Sequence, residues 1–355
     1  MNGPTAVGLA PSFGFGDRLG LATPGHVAAV RAAGRGLRPV FAQQSVRELA
    51  RTGRSWHDVL ASAQAGMTAS AWTEPYGADA DHCKEADDVV RARECGYTMF
   101  TLDATDRLSD GDTDDVAATW LPVVEHVERL AAEVPPGADL EVSIDEVAAP
   151  TTPGEHTFVA TELRRRGVRV TSIAPRFPGD FEKGIDHRGS LDEFVAAVRA
   201  HARVARDCGP YKLSLHSGSD KLRLYRPLAE ETRGMFHVKT AGTSYLEGLR
   251  VAGQKAPALI REIWACATER FAVDRSTYAT TADVDSVPPQ LARDAPDRLL
   301  DDTHARRILH VTFGSVLSDA DLGTRLLECL TADGGSAYTA AVARHFVAHL
   351  EALAA

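Results

Sequence analysis

Up to Phe271, eight short apolar runs alternate with helical segments, and no neighbouring pair of runs carries a hairpin signal. A strand–helix–strand unit of this length makes a parallel pair, because parallel strands need a long crossover. Eight such units in succession predict a (β/α)8 TIM barrel, with an open doubly wound sheet as the competing arrangement. The clearest unit runs from Tyr211 to Thr243 and reads YKLSLHSGSDKLRLYRPLAEETRGMFHVKTAGT. In it Lys212, Ser214 and His216 alternate with Leu213 and Leu215, the period of a strand with two distinct faces. Met235 to Thr240 repeats the pattern and sets His237 and Lys239 on one side. Both histidines are expected near the C-terminal edge of the sheet, where α/β barrels carry their chemistry.

The other strands are expected at Ala6–Ala10, Pro39–Gln44, Tyr76–His82, Thr98–Asp103, Leu140–Glu146 and Val168–Phe177. Thr23-Pro24 offers an N-cap and a first-turn proline. Ser45 with Glu48, and Ser190 with Glu193, have capping-box spacing. Tyr245–Phe271 is read as the last barrel helix. Residues 1–271 are thus expected to form the catalytic barrel and residues 272–355 a helical extension packed on it.

A net charge of −10 over 355 residues argues against nucleic acid or an anionic membrane surface as partner. The N-terminus MNGPTAVGLAPSF lacks the basic and apolar regions of a signal peptide, and no apolar run approaches the roughly 20 residues of a membrane span. Five cysteines without a CxxC pair suit reduced thiols in the cytoplasm. Nothing in the pattern speaks to oligomeric state.

The residues expected at the strand ends are chemically unusual. They are Asp17 and Arg18; Gln43 and Gln44; Asp79, Asp81, His82 and Lys84; Asp103; Asp145 and Glu146; Arg176; His216 and Asp220; His237 and Lys239. A scaffold needs none of these there, since barrel interiors favour branched apolar side chains and stranded polar groups are costly. His82, Glu146, His216 and His237 are candidate ligands of a divalent metal; imidazole with one carboxylate suits zinc, cobalt, nickel, manganese or iron. A lone histidine is more often a satisfied core or surface residue, so the weight rests on the four together. Arg18, Lys84, Arg176, Lys183, Lys221 and Lys239 all follow strands in an acidic chain, which predicts an anionic small-molecule substrate. Salt-bridged loop cations are the ordinary alternative. Gly14 to Gly20 looks like a dinucleotide loop, but its third glycine comes one place late and no acidic ribose partner closes the second strand. Lys239 is better placed to neutralise charge than to form a Schiff base.

FAQQSVRE, GADADHCK, YTMFTLDATD, LSLHSGSDK, FHVKTAGTSYLEGLRVAG and LHVTFG together resemble the tagaturonate epimerase family, in segments spread from Phe13 to Gly314. The resemblance implies a metal-dependent barrel isomerase interconverting tagaturonate and fructuronate. Asp81-His82-Cys83-Lys84 and His216-Ser217-Gly218-Ser219 are also similar to the metal-binding segments of class II sugar aldolases. That likeness implies His82 and His216 as ligands and Asp81 as the acid/base. The two sugar acids differ at the carbon β to the ketone, which the carbonyl does not acidify. Retro-aldol cleavage and re-addition is therefore the expected route, with the pKa of Asp81 raised by burial or acidic neighbours. Arg18, Arg176, Lys221 and Lys239 are expected at the carboxylate or oxyanion, and Lys84 among the substrate contacts. Gln43, Gln44, Asp103, Ser217, Ser219, Asp220 and Thr240 are expected at hydroxyls, and Arg307 with His310 above the pocket. The competing functions are an aldolase, an isomerase or 3-epimerase working through an enediol, and a non-catalytic sugar-acid binder.

Overall fold

The computed structural model describes residues 3–108 and 115–354. Among them, eight parallel strands close into a barrel in sequence order. These are β1 (Ser12–Gly16), β2 (Arg38–Ser45), β3 (Gly77–Cys83), β4 (Met99–Asp103), β5 (Asp139–Ile144), β6 (Ser172–Pro175), β7 (Lys212–Leu215) and β8 (Phe236–Thr240). β8 pairs with β1, Ser12 opposite His237 and Phe15 opposite Thr240, so the sheet has no free edge.

The first strand lies later than expected: Ala6–Ala10 precedes it, and the glycine-rich SFGFG is the strand itself. Phe13 and Phe15 pack outward against Phe346 of the C-terminal helix, with ring centroids 6.2 and 5.2 Å away. Gly14 yields its side-chain space to Gln43, whose Oε1 would lie 1.6 Å from a Cβ there. A strand read as a loop is what glycines produce when they make room for a neighbour.

Ser45 and Ser190 cap helices as expected, accepting from the backbone N–H of Glu48 (3.2 Å) and Glu193 (3.3 Å). Thr23 does not cap; it is the first helical residue, after Ala22. The expected helix Tyr245–Phe271 is two helices, Thr243–Lys255 and Pro257–Asp274, because Pro257 cannot continue the first. The segment beyond Asp274 is helical and ends in Ser336–Ala354, which packs on the helices Thr23–Ala33, Leu222–Thr232 and Thr243–Lys255. Among the described residues, no helix is long and apolar enough to cross a membrane, and the five cysteines are free.

Gly25 sets how closely the C-terminal helix approaches. A Cβ at Gly25 would lie 2.6 Å from Val342 Cβ and 2.9 Å from Thr339 O. Gly25→Val is expected to cost about 1–3 kcal/mol through overpacking, read as a lower urea midpoint. An unchanged midpoint would show that this contact does not constrain the fold.

Candidate active site

The barrel interior is polar, and Lys239 sits at its centre. Its Nζ lies 2.8 Å from Asp79 Oδ2, 2.7 Å from Asp81 Oδ1 and 2.9 Å from Glu141 Oε1, and it also donates to Thr101. All four ionisable residues are buried. Burial alone would neutralise the amine, yet the three carboxylates hold Lys239 protonated well above the ordinary lysine range. An ammonium held this firmly is a poor Schiff-base nucleophile. Burial lifts Asp79 to about 6. Asp81 behaves oppositely to the expectation from sequence. Burial pushes its pKa up, but His82 and Lys239 outweigh that and hold it well below the usual carboxylate range.

Two histidines hang from this network. Neighbouring residues on a strand normally face opposite sides, but β3 slips register between Ala80 and Cys83 and His82 takes φ +56°. Asp81 and His82 can therefore both line the cavity. His82 Nδ1 is 2.8 Å from Asp81 Oδ1, which leaves Nε2 for a ligand role. His216 follows β7, and its Nε2 is 2.7 Å from Glu141 Oε1. That bond assigns the ring proton to Nε2 and turns Nδ1 towards Asp145 Oδ1, 3.0 Å away but outside hydrogen-bond geometry. The two imidazole centroids are 4.9 Å apart.

His82, Asp145 and His216 each offer a ligand atom within 4.8 Å of the others. A buried imidazole lone pair facing a carboxylate at 3.0 Å demands a positive charge between them, a proton or a metal. Without a metal, the carboxylates of Asp145 and Glu141 overcome burial and hold His216 protonated, with its pKa raised to about 10. A carboxylate bonded to the far nitrogen of a histidine is the usual support of a metal ligand, so the residues fit a divalent ion. Among the described residues two other groups have ligand spacing and fit less well. Asp103 and Glu146 beside His82 already have the ammonium of Lys84, 3.3 and 3.7 Å away. Asp220 with His345 and His349 already has Arg306 at 3.0 Å, and His349 Nε2 accepts the N–H of Asp220.

Several expected site residues lie elsewhere or, like Glu146 on the cavity wall, already have another partner. Glu146 pairs with Arg47 at 2.9 Å, and Asp145 takes the place beside His216. His237 faces inward one layer below Lys239, with Nδ1 2.8 Å from Ser12 Oγ; burial pushes its pKa down to about 3. Gln44 lies opposite Ala80, away from the cavity wall, whereas Gln43 lines it. Ser219 and Thr240 bond backbone oxygens of Ala241 and Gly14. Lys221 donates to three carbonyls, of Glu182, Ile185 and Ser219, and Asp220 turns to the C-terminal helix. His310 is fully buried behind Arg18, donating to Ala241 O, and Arg307 pairs with Glu182. Asp103 stands behind Lys84.

Arg18, Gln43, Asp81, His82, Lys84, Glu146, Arg176, His216, Ser217 and Lys239 do share one cavity of about 550 Å³ at the C-terminal mouth of the barrel. Reading from sequence missed Glu141 and Thr101, and Asp145 as the partner of His216. Period two was the available signal: Asp139, Glu141, Ser143 and Asp145 lie on one face of β5 and its extension.

Lys239→Met would leave three buried carboxylates without their cation, at a cost of about 3–5 kcal/mol near neutral pH. Their folded-state pKa values would rise above those of the unfolded chain. The deficit should therefore shrink as pH falls towards 5 and grow towards 8. Chemical unfolding at several pH values would show this; a deficit independent of pH would contradict it.

The chain matches the sequence profile of the tagaturonate epimerase family over residues 1–119 and 107–353. It is 40% identical to the tagaturonate/fructuronate epimerase of Thermotoga maritima, over 99% of this chain and 82% of that protein. A crystal structure of the fructuronate-tagaturonate epimerase of Cohnella laeviribosi superposes with a TM-score of 0.92 at 33% identity, covering 99% of this chain and 83% of that one. A glycerol complex of the same enzyme gives 0.92 at 32%, with the same coverage. The chain belongs to the tagaturonate epimerase family and is an enzyme of the isomerase class.

Proposed function

We propose that this enzyme is a divalent-metal-dependent epimerase of keto sugar acids of the tagaturonate and fructuronate kind. It inverts the carbon β to the ketone by breaking and remaking the α–β bond. The carrying observation is His216, whose ring Glu141 turns so that Nδ1 faces Asp145 beside His82. The substrate class comes from the relatives, and the cavity is of ordinary size for a small-molecule ligand. The free cysteines suit a cytoplasmic enzyme.

His82, Asp145 and His216 would hold a divalent ion, which would supply Lewis acidity at the substrate ketone. The protein does the rest. A C–H β to a ketone is not acidified by it, so direct deprotonation gives no route to inversion. In α–β cleavage the β-hydroxyl loses its proton, its carbon becomes an aldehyde, and the bonding pair moves towards the ketone. Asp81 takes that proton. It is held ionised, with Oδ1 fixed by His82 and Lys239, and it lines the cavity. Lys239 stays charged and offsets the negative charge gathering on the ketone half. The aldehyde then presents its other face, the bond re-forms, and Asp81 returns the proton.

The wild-type protein is expected to retain about one equivalent of divalent metal. Asp145→Asn should lose it and Glu146→Gln should keep it, as read by elemental analysis of protein made without a histidine tag. The reverse pattern would move the metal to the Lys84 side. Asp81→Asn should keep metal while turnover falls roughly 10²–10⁴-fold; near-normal turnover would remove Asp81 from the reaction. Epimerisation in D2O should put no deuterium on carbon, whereas incorporation would favour an enediol route.

A further inference from the structure

Six cations line the cavity: Arg18, Arg47, Lys84, Arg176, Lys183 and Lys239. Four already have a carboxylate. Arg18 pairs with Glu48 at 2.8 Å, Arg47 with Glu146 at 2.9 Å, Lys84 with Asp106 at 2.7 Å, and Lys239 with its three acids. Among the described residues no carboxylate pairs with Arg176 or Lys183. Two partly buried cations on one cavity wall, without a carboxylate partner among the described residues, are placed to take an anion from elsewhere.

Both stand on the segment between β6 and the helix Leu191–Cys208, which is held from outside the cavity. The Glu182 carboxylate takes Arg307 Nη1 at 2.7 Å and the N–H of Thr281 at 3.0 Å. Lys221 Nζ reaches the carbonyls of Glu182 and Ile185 at 2.9 and 2.5 Å. Lys183 Nζ lies 2.6 Å from the hydroxyl of Ser217, the residue after His216, so the ammonium stands next to the proposed metal loop. Burial pushes its pKa down, which a bound anion would reverse.

We infer that Arg176 and Lys183 together grip the substrate carboxylate, and that this grip makes the enzyme rejoin its fragments instead of releasing them. The inference rests on the proposed retro-aldol reading. In a keto sugar acid of this kind the carboxylate is at the far end from the ketone. After cleavage it travels with the aldehyde half, while the metal site and Lys239 address the ketone half. A carboxylate fixed at one end lets the aldehyde carbon turn about the bond to its neighbour and show its other face. The fragment stays at high effective concentration for re-addition. No bond is made or broken by the two cations; they hold one product of the cleavage in place.

The test uses the metal-loaded full-length enzyme with Arg176→Met and Lys183→Met, and with the charge-keeping Arg176→Lys and Lys183→Arg. Metal content reports on folding of the site. Each methionine variant should keep its metal, raise KM roughly ten- to a hundredfold, and release the short aldehyde acid, detectable by NMR. Charge-keeping variants should recover most of the KM and little release. Glycerate, the reduced form of the fragment, provides a readout free of turnover. Calorimetry should show it binding the wild type and not the methionine variants. Methionine variants with wild-type KM, no release and intact glycerate binding would overturn the inference. A wild type that binds glycerate through these residues yet epimerises no sugar acid would overturn the proposed reaction and leave the carboxylate grip standing.

Discussion

One buried ammonium organises the site. Lys239 touches Asp79, Asp81 and Glu141, and through two of them it reaches both mouth histidines: Asp81 holds His82, and Glu141 holds His216. The orientation of each imidazole is thus set by a carboxylate that the same cation fixes. Such a network is tolerable in a barrel interior only when it is closed, because each unpaired member would carry its full desolvation cost. Thr101 and Ser172 complete it, with Ser172 Oγ donating to Glu141 Oε2 at 2.5 Å.

The histidines stand where the backbone is strained. His82, Ser217 and Asp220 have φ of +56°, +51° and +61°, and none is glycine. Conformations of this kind persist only when their surroundings hold them. For the segment after β7 the holder is the helical C-terminal part of the chain: Arg306 at 3.0 Å and the two histidines His345 and His349 on Asp220. Arg307 does the same for Glu182 after β6. The C-terminal helices therefore hold the segments after β6 and β7 from behind, and Tyr278 also lines the cavity.

The barrel was legible because its signals are local. Period-two runs, serine caps and the long crossovers each follow from a few neighbouring residues, and they fixed the strand order from β2 to β8. β1 was misplaced because SFGFG reads as a turn unless Gln43 is known to occupy the space beside Gly14. The site was legible as a set of residues at strand ends and illegible in its pairings. The sequence points to Glu146 as the carboxylate ligand, whereas the inward period of β5 passes through Glu141, Ser143 and Asp145. His237 shares a face with Lys239 but lies one layer too deep. No local pattern reveals that Arg18 is already paired with Glu48, or that among the described residues no carboxylate pairs with Arg176, since those facts depend on distant segments.

The central claim is that His82, Asp145 and His216 surround one divalent ion beside Lys239. It is tested most directly by anomalous diffraction at a metal absorption edge from crystals grown with zinc, manganese or cobalt. The predicted result is a peak about 2.0–2.2 Å from one nitrogen of each of His82 and His216 and from an Asp145 oxygen. A peak instead between Asp103 and Glu146, or at Asp220, His345 and His349, with none at the first group, would contradict it.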